Sequence, residues 1–455
     1  MLTAVLHRLN TAVMGPLVPA VIFAVGVFYL LQLKGFFLLH PIRVIRMLWG
    51  SAESTHQGIS SLKALTLALA GTLGVGNIAG VASAILIGGP GSIFWMLLSA
   101  LLAMGIKYAE VVLAVLTRRG DGVHFHGGAM YYLPGKAVPV LFAGICLTAS
   151  FGLGNLIQVR AAADALEECF FIPGWATGLL FAVLTALVIG GGVQSIASFT
   201  VRLIPFLTLG YVLLAMAILL PNIDRIPAVI SMIVSDAISP VAAAGGIGGF
   251  LCNEGLRIGI SRGILSNEAG CGTAPIAHAG AENIKSPAQQ GLWGIFEVFA
   301  DTVLLCTLTA FVVLLSYDRL ADCGENGMLC AMRSYMLWLG KPAGILLSVS
   351  SALFAFATVV CWAHYGLEAL YFLCPGGLPR RIYIVCYVVC AFAGAIVALE
   401  TAWELADLCI SLMALLNTIG IWLLWKRVVK ESEMLFSKAP SRAAVRPVPR
   451  ERKRA

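Results

Sequence analysis

Eleven mostly apolar stretches, each near the length of about 20 residues that an α-helix needs to cross a bilayer, take up most of this chain. They run roughly over 17–33, 64–87, 92–116, 138–159, 173–192, 199–220, 240–258, 289–317, 343–371, 382–399 and 403–425. Hydrophobic residues make up 59% of the sequence and charged ones 12%, which leaves little chain for a soluble domain. An all-α polytopic membrane protein is the class that follows.

Two of these stretches are broken by glycine: Gly71-Thr72-Leu73-Gly74-Val75-Gly76-Asn77 in the first half and Gly245-Gly246-Ile247-Gly248-Gly249-Phe250 in the second. Inside hydrocarbon a helix satisfies its own backbone, so unwinding is tolerated only where the freed N–H and C=O groups meet a ligand, an ion or water. One packing stripe cannot account for Gly71, Gly74, Gly76 and Gly80, which fall on several faces of a helix. With the first span set aside, ten remain, five on each side of 221–239. An odd number reverses the insertion of the second half, and the broken helix then opens each half. This is the inverted-repeat plan of secondary transporters, with the substrate at the midplane between the breaks. The expected segments are 1–63, an extra N-terminal helix and inner loop; 64–220, the first repeat; 221–239, an outer connection; 240–426, the second repeat; and 427–455, a basic tail without order.

Charge sets the expected orientation. Lys34, Arg43, Arg46 and Lys63, then Arg118, Arg119 and Lys136, then Arg380 and Arg381 fall in alternate loops, which the positive-inside rule keeps in the cytoplasm, with the N-terminus outside and the C-terminus inside. The formal charge of +7 owes much to the tail, which ends Arg450-Glu451-Arg452-Lys453-Arg454. A nucleic-acid arm is one reading of it, but a solvated anchor against anionic lipid fits the loop pattern, so no nucleic-acid partner is expected. Most cysteines lie in spans as small apolar filler. Cys323 and Cys330 share an outer loop where a bridge is chemically feasible.

Polar side chains within spans mark function or a partner. Asn77 brings a donor and an acceptor to the first break. Asn155 and Gln158 share a face of the fourth span, where Gln158 either hydrogen-bonds a small zwitterion or joins helices. The segment from Ser261 to His278 reads as an inner loop, either a gating element or a structural loop capped by Ser266 and Asn267. Glu297 and Asp301, four apart, read as a proton or cation partner or as the mate of Arg262. Thr358 and Trp362 share a face of a later span, the hydroxyl suited to Na⁺ and the indole to packing or to closing over a substrate.

At these residues a resemblance becomes specific. The run Gly71 to Ala82, Gly88-Gly89-Pro90-Gly91, Gly127-Gly128-Ala129-Met130-Tyr131-Tyr132, Arg262-Gly263, Ser266-Asn267-Glu268-Ala269-Gly270, Ala274-Pro275-Ile276-Ala277-His278, Asp301-Thr302 and Trp403-Glu404-Leu405-Ala406-Asp407 resemble the alanine or glycine:cation symporter family, in order from about residue 60 to 425. The resemblance implies a LeuT-like 5+5 core with one extra N-terminal helix in the inner membrane of a bacterial cell. It also implies Na⁺-coupled uptake of alanine, L or D, or glycine, with no cofactor and no enzymatic activity. By similarity the substrate would meet Thr72, Gly76, Gln158, Phe250 and Trp362, and the cation Gly74, Asn77 and Thr358. Ser266, Asn267, Glu268, Gly270 and Asp301 would form a gating or structural motif. The family usually has Asn close after the glutamine, whereas this chain reads Gln158-Val159-Arg160. The alternatives are proton coupling or another small amino acid in the same fold. An intramembrane hydrolase using Ser266 and His278 lacks the G-x-S-x-G and H-E-x-x-H patterns, and a channel is the remaining rival.

Overall fold

The computed structural model describes residues 5–436 apart from 7, 11–12, 14–16, 50–58, 121–124, 239–253, 283, 320–325 and 398–399. The described chain is almost wholly helical, with one two-residue hairpin pairing Arg119 with His126. Seven of its helices are long and apolar enough to span a membrane, and shorter apolar ones accompany them.

Helix α1 (Val18–Gln32) and the short α2 (Pro41–Trp49) precede the core. Helix α3 (Ser61–Thr72) begins where Ser60 Oγ accepts the Lys63 N–H at 3.3 Å and stops at the glycine cluster. A 3₁₀ turn (Val75–Asn77) leads into α4 (Ala79–Gly88). After this broken helix come α5 (Ser92–Thr117), α6 (Ala137–Phe170), α7 (Gly174–Gly190) and α8 (Gly192–Leu219), then α9 (Ile226–Ala237). Helix α6 carries a wide turn at Gly152–Leu156, as is common beside functional sites.

The second half repeats the order. Helices α10 (Glu254–Asn267) and α11 (Ala274–Ala279) make the second broken pair. They are followed by α12 (Pro287–Leu314), the connecting α13 (Gly327–Leu339), α14 (Lys341–Leu373), α15 (Gly377–Gly394) and α16 (Glu400–Leu423). Ser286 caps α12 by accepting the Gln289 N–H at 3.1 Å, with Pro287 in the first turn where its missing N–H does no harm.

The sequence reading placed the second interruption at 245–250 and the polar Ser261–His278 segment in an inner loop. Residues 245–250, Phe250 included, lie outside the described residues. The polar segment comprises the end of α10, an irregular stretch over 268–273, and buried α11. Glu268, Gly270 and Gly272 have φ of 50°, 86° and 76°, a left-handed backbone that cannot continue a helix. The freed backbone groups are met by side chains, as a break in hydrocarbon requires. Asn267 Oδ1 accepts the Ala269 N–H at 2.9 Å, Glu110 Oε1 accepts the Gly272 N–H at 3.1 Å, and Asn417 Nδ2 donates to the Gly270 carbonyl at 2.8 Å.

A second correction concerns the tail. Its first part is a helix, α17 (Trp425–Phe436), seated on the segment that follows α1 and on α5: Phe36 and Phe436 stack at 3.8 Å, Arg43 donates to the Phe436 carbonyl, and the Tyr108 and Ser432 hydroxyls lie 2.9 Å apart. Residues 437–455 and Cys323 are outside the described chain.

Candidate functional site

The two breaks meet. Asn77 Nδ2, at the end of the first, donates to Ser266 Oγ at 3.2 Å, in the last turn of α10 before the second. Beside this junction lies a cavity of 470 Å³ whose lining includes Thr72, Gly74, Gly76, Gln158 and Glu268, with Arg262, Asp164, Asn326 and Asp407 farther along its wall.

Close approach explains the first glycine. A Cβ on Gly74 would stand 2.9 Å from both Gln158 Oε1 and Thr358 Oγ1, so α6 and α14 can press against the break only where no side chain projects. Gln158 Oε1 accepts the Val75 N–H at 3.4 Å, replacing a bond that unwinding removed. Gly76 is roomier, its nearest neighbour being Ser266 Cα at 3.8 Å from a built Cβ. Thr72 donates back to the Leu69 carbonyl at 3.4 Å. Trp362 is fully buried and does not line the cavity; its ring fills the space that a Cβ on Gly154 would need. Thr358 donates to the Phe354 carbonyl at 3.1 Å.

Asn77 turns away from Gly74 and Thr358 towards α12. Its Nδ2 donates to Asp301 Oδ1 at 2.7 Å, while Ser266 Oγ and Thr302 Oγ1 donate to Asp301 Oδ2 at 2.6 and 2.7 Å. Asn267 Nδ2 holds the Thr302 hydroxyl at 3.2 Å, and Thr309 Oγ1 donates to the Asn77 carbonyl at 2.8 Å. Asp301 is fully buried, and Asn77 Oδ1 is buried with no hydrogen-bond partner among the described residues. The buried carboxylate and the unsatisfied amide oxygen of the residue bonded to it are hard oxygen atoms, the donor type that alkali and alkaline-earth cations prefer.

Glu297 does not face Arg262. It is fully buried between Lys107 Nζ at 3.3 Å and His278 Nε2 at 3.2 Å, with Gln290 Nε2 2.9 Å from the other ring nitrogen of the histidine. Sequence reasoning missed Lys107 and Glu110 on α5, which hold α12 through Glu297 and the second break through the Gly272 N–H. The signal was there: two charges three residues apart in an otherwise apolar span. Asn155 donates to the Tyr387 carbonyl at 2.8 Å and so joins α6 to α15. Arg160 pairs with Asp164 at 2.9 Å, one turn along α6, and both are over a third exposed.

Two facing broken helices, a polar cavity at their junction and a buried carboxylate beside it define a secondary transporter built on the LeuT-like fold. The sodium:alanine symporter family matches residues 1–446, and the chain belongs to that family. It is 35% identical to the sodium/alanine symporter AgcS of Methanococcus maripaludis over 94% of this chain and 96% of that one. It is 32% identical to a probable sodium/glutamine symporter, GlnT, of Bacillus subtilis over 92% and 87% of the two chains. Among solved structures, a manganese transporter from Eremococcus coleocola superposes with a TM-score of 0.53 at 13% identity, covering 84% of this chain and 88% of that one. That likeness shows the fold, while cargo is decided by the site.

Proposed function

We propose that this protein is a sodium-coupled symporter that takes up small neutral amino acids, alanine or glycine, by alternating access. The observation that carries the reading is the junction of Asn77, Ser266 and Asp301, where two broken helices and a buried carboxylate converge beside the cavity. Freed N–H groups at the half-helix ends suit the substrate carboxylate, and freed carbonyls suit cations. The similarity to sodium/alanine symporter AgcS supports this choice of cargo and ion.

In this reading the coupling ion is held by Asp301, Ser266, Thr302 and the Asn77 amide oxygen. A second cation position, of neutral oxygens only, lies where Gly74 meets Thr358. Because the same helix breaks hold the ion and face the substrate cavity, each ligand favours the state that the other needs, and by linkage each raises the affinity of the other. The cavity lining includes Asp164, in the last part of α6, and Asn326, just before α13, which the charge distribution puts on the outer side. In this reading the cavity opens outward and the C-terminus lies in the cytoplasm.

Uptake of labelled alanine and glycine into proteoliposomes tests the reading under an inward gradient of Na⁺, of H⁺, or of neither. Accumulation above equilibrium with Na⁺ alone is expected; accumulation driven by H⁺ alone would replace the ion, and none under any gradient would remove the substrate. Thr358→Val, which keeps the shape and removes the hydroxyl, should raise the Na⁺ concentration for half-maximal uptake several-fold. An unchanged Na⁺ curve would take Thr358 out of the ion path.

A further inference from the structure

We propose that Glu268 receives the ammonium group of the substrate, a role that rests on the amino-acid reading above. Glu268 sits at the second helix break and lines the cavity, yet only 3% of it is exposed. It is held at φ 50°, a conformation that β-carbon crowding disfavours in any residue but glycine. Such a conformation survives only where the surrounding structure enforces it, and it clusters at functional positions. Here it directs the carboxylate out of the helical path. Thr273 Oγ1 donates to Oε2 at 2.6 Å and fixes the group, while Oε1 takes no hydrogen bond among the described residues.

A carboxylate at membrane depth needs a positive partner, and the described residues, Arg262 of the same cavity wall included, supply none at ion-pair distance. Lys107, the buried cation of the neighbouring α5, is held by Glu297 at 3.3 Å, and Glu268 makes no ion pair among the described residues. The other carboxylates in the cavity wall are placed differently. Asp164 is matched by Arg160 at 2.9 Å and more than a third exposed, and Asp407, whose buried Oδ1 also lacks a partner among the described residues, lies on α16, which belongs to neither broken helix. Asp301 already accepts three hydrogen bonds and is not in the lining. Among the described carboxylates of the cavity wall, Glu268 is the one that sits at a break and keeps an oxygen free.

The ligand that completes this arrangement is a compact, fully charged donor, and a primary ammonium has three N–H groups and no acceptor. The division of labour follows from charge. Backbone N–H groups at the half-helix ends take the carboxylate of a zwitterion, Glu268 takes its ammonium, and Asp301 takes the metal cation. A 2-hydroxy acid of the same size as alanine would offer a hydroxyl where the site calls for a cation, and it would be rejected.

Equilibrium binding of labelled alanine to the purified full-length protein in Na⁺, with lactate as competitor, tests this in the wild type, Glu268→Gln and Glu268→Asp. Na⁺-induced thermal stabilisation is measured in parallel without substrate. Wild-type protein should bind alanine with no competition from lactate. Glu268→Gln keeps the shape and the Thr273 contact, and should weaken alanine by about 10- to 100-fold, the loss of one charge-assisted hydrogen bond. Its Na⁺ stabilisation should be unchanged, and Glu268→Asp should fall between the two. Alanine affinity within twofold of wild type in Glu268→Gln would overturn the proposal, as would a lost Na⁺ response with alanine binding preserved, which would make Glu268 a metal ligand. Failure of the wild type itself to bind alanine would instead remove the amino-acid reading on which the assignment rests.

Discussion

Asp301→Ala is expected to abolish Na⁺-driven accumulation, the largest single loss that the site geometry allows. The carboxylate is the only charged member of the junction, and it anchors donors from three elements: Asn77 at the first break, Ser266 in α10 and Thr302 in α12. Removing it takes away the negative charge that offsets dehydration of the ion, and leaves buried donors without an acceptor, at about 1–3 kcal/mol each. Asp301→Asn separates the two effects. It keeps the volume and part of the hydrogen bonding, so the protein should insert and elute as wild type. Its half-saturating Na⁺ concentration should still rise by at least about 10-fold, given about 1.5–3 kcal/mol for an interaction with a charged group. A normal Na⁺ titration of the Asn variant would move the coupling ion elsewhere.

A second large effect belongs to Gly76, where the wall is open enough to make size a clean variable. A built Cβ meets nothing nearer than 3.8 Å, so Gly76→Ala should retain most alanine binding. Gly76→Leu places four carbons in the cavity and should reduce binding below detection, while Na⁺ stabilisation persists because Asp301 is untouched. Uptake by the Leu variant at the wild-type rate would show that the cavity beside the first break is not the substrate path. Gly74 offers no such graded series. Even an alanine there would crowd Gln158 and Thr358 at 2.9 Å and disturb the break itself.

Much of the architecture was legible because membranes leave few options. Apolar length marks spans, and glycine clusters mark the places where a span cannot stay helical. The first break is where the glycines of 71–77 predicted it. The glycine cluster of 245–250 lies outside the described residues, and the interruption that is described, after α10, uses Glu268, a residue whose left-handed backbone no propensity scale announces. The site was read in part. Thr72, Gly74, Gly76 and Gln158 do line one cavity, but Gln158 also serves the backbone of Val75, and Trp362 lies behind the wall. Asn77 was expected with Thr358 and is found with Asp301, since spacing along one helix says nothing about which distant helix it faces. Lys107, Glu110 and Glu297 illustrate the same limit. Each is visible as a charge in an apolar run, but their partners come from helices far apart in the chain.

The docking of α17 bears on how the protein can be handled. Its Ser432 hydroxyl meets Tyr108, one residue from Lys107, and Phe436 covers Phe36 on the segment that follows α1. The beginning of the tail is thus a lid over the middle of α5, not a free handle. An affinity tag, fluorescent protein or protease site spliced between Trp425 and Phe436 would pry this lid from the charge cluster that secures the second broken helix, and should be placed beyond Phe436.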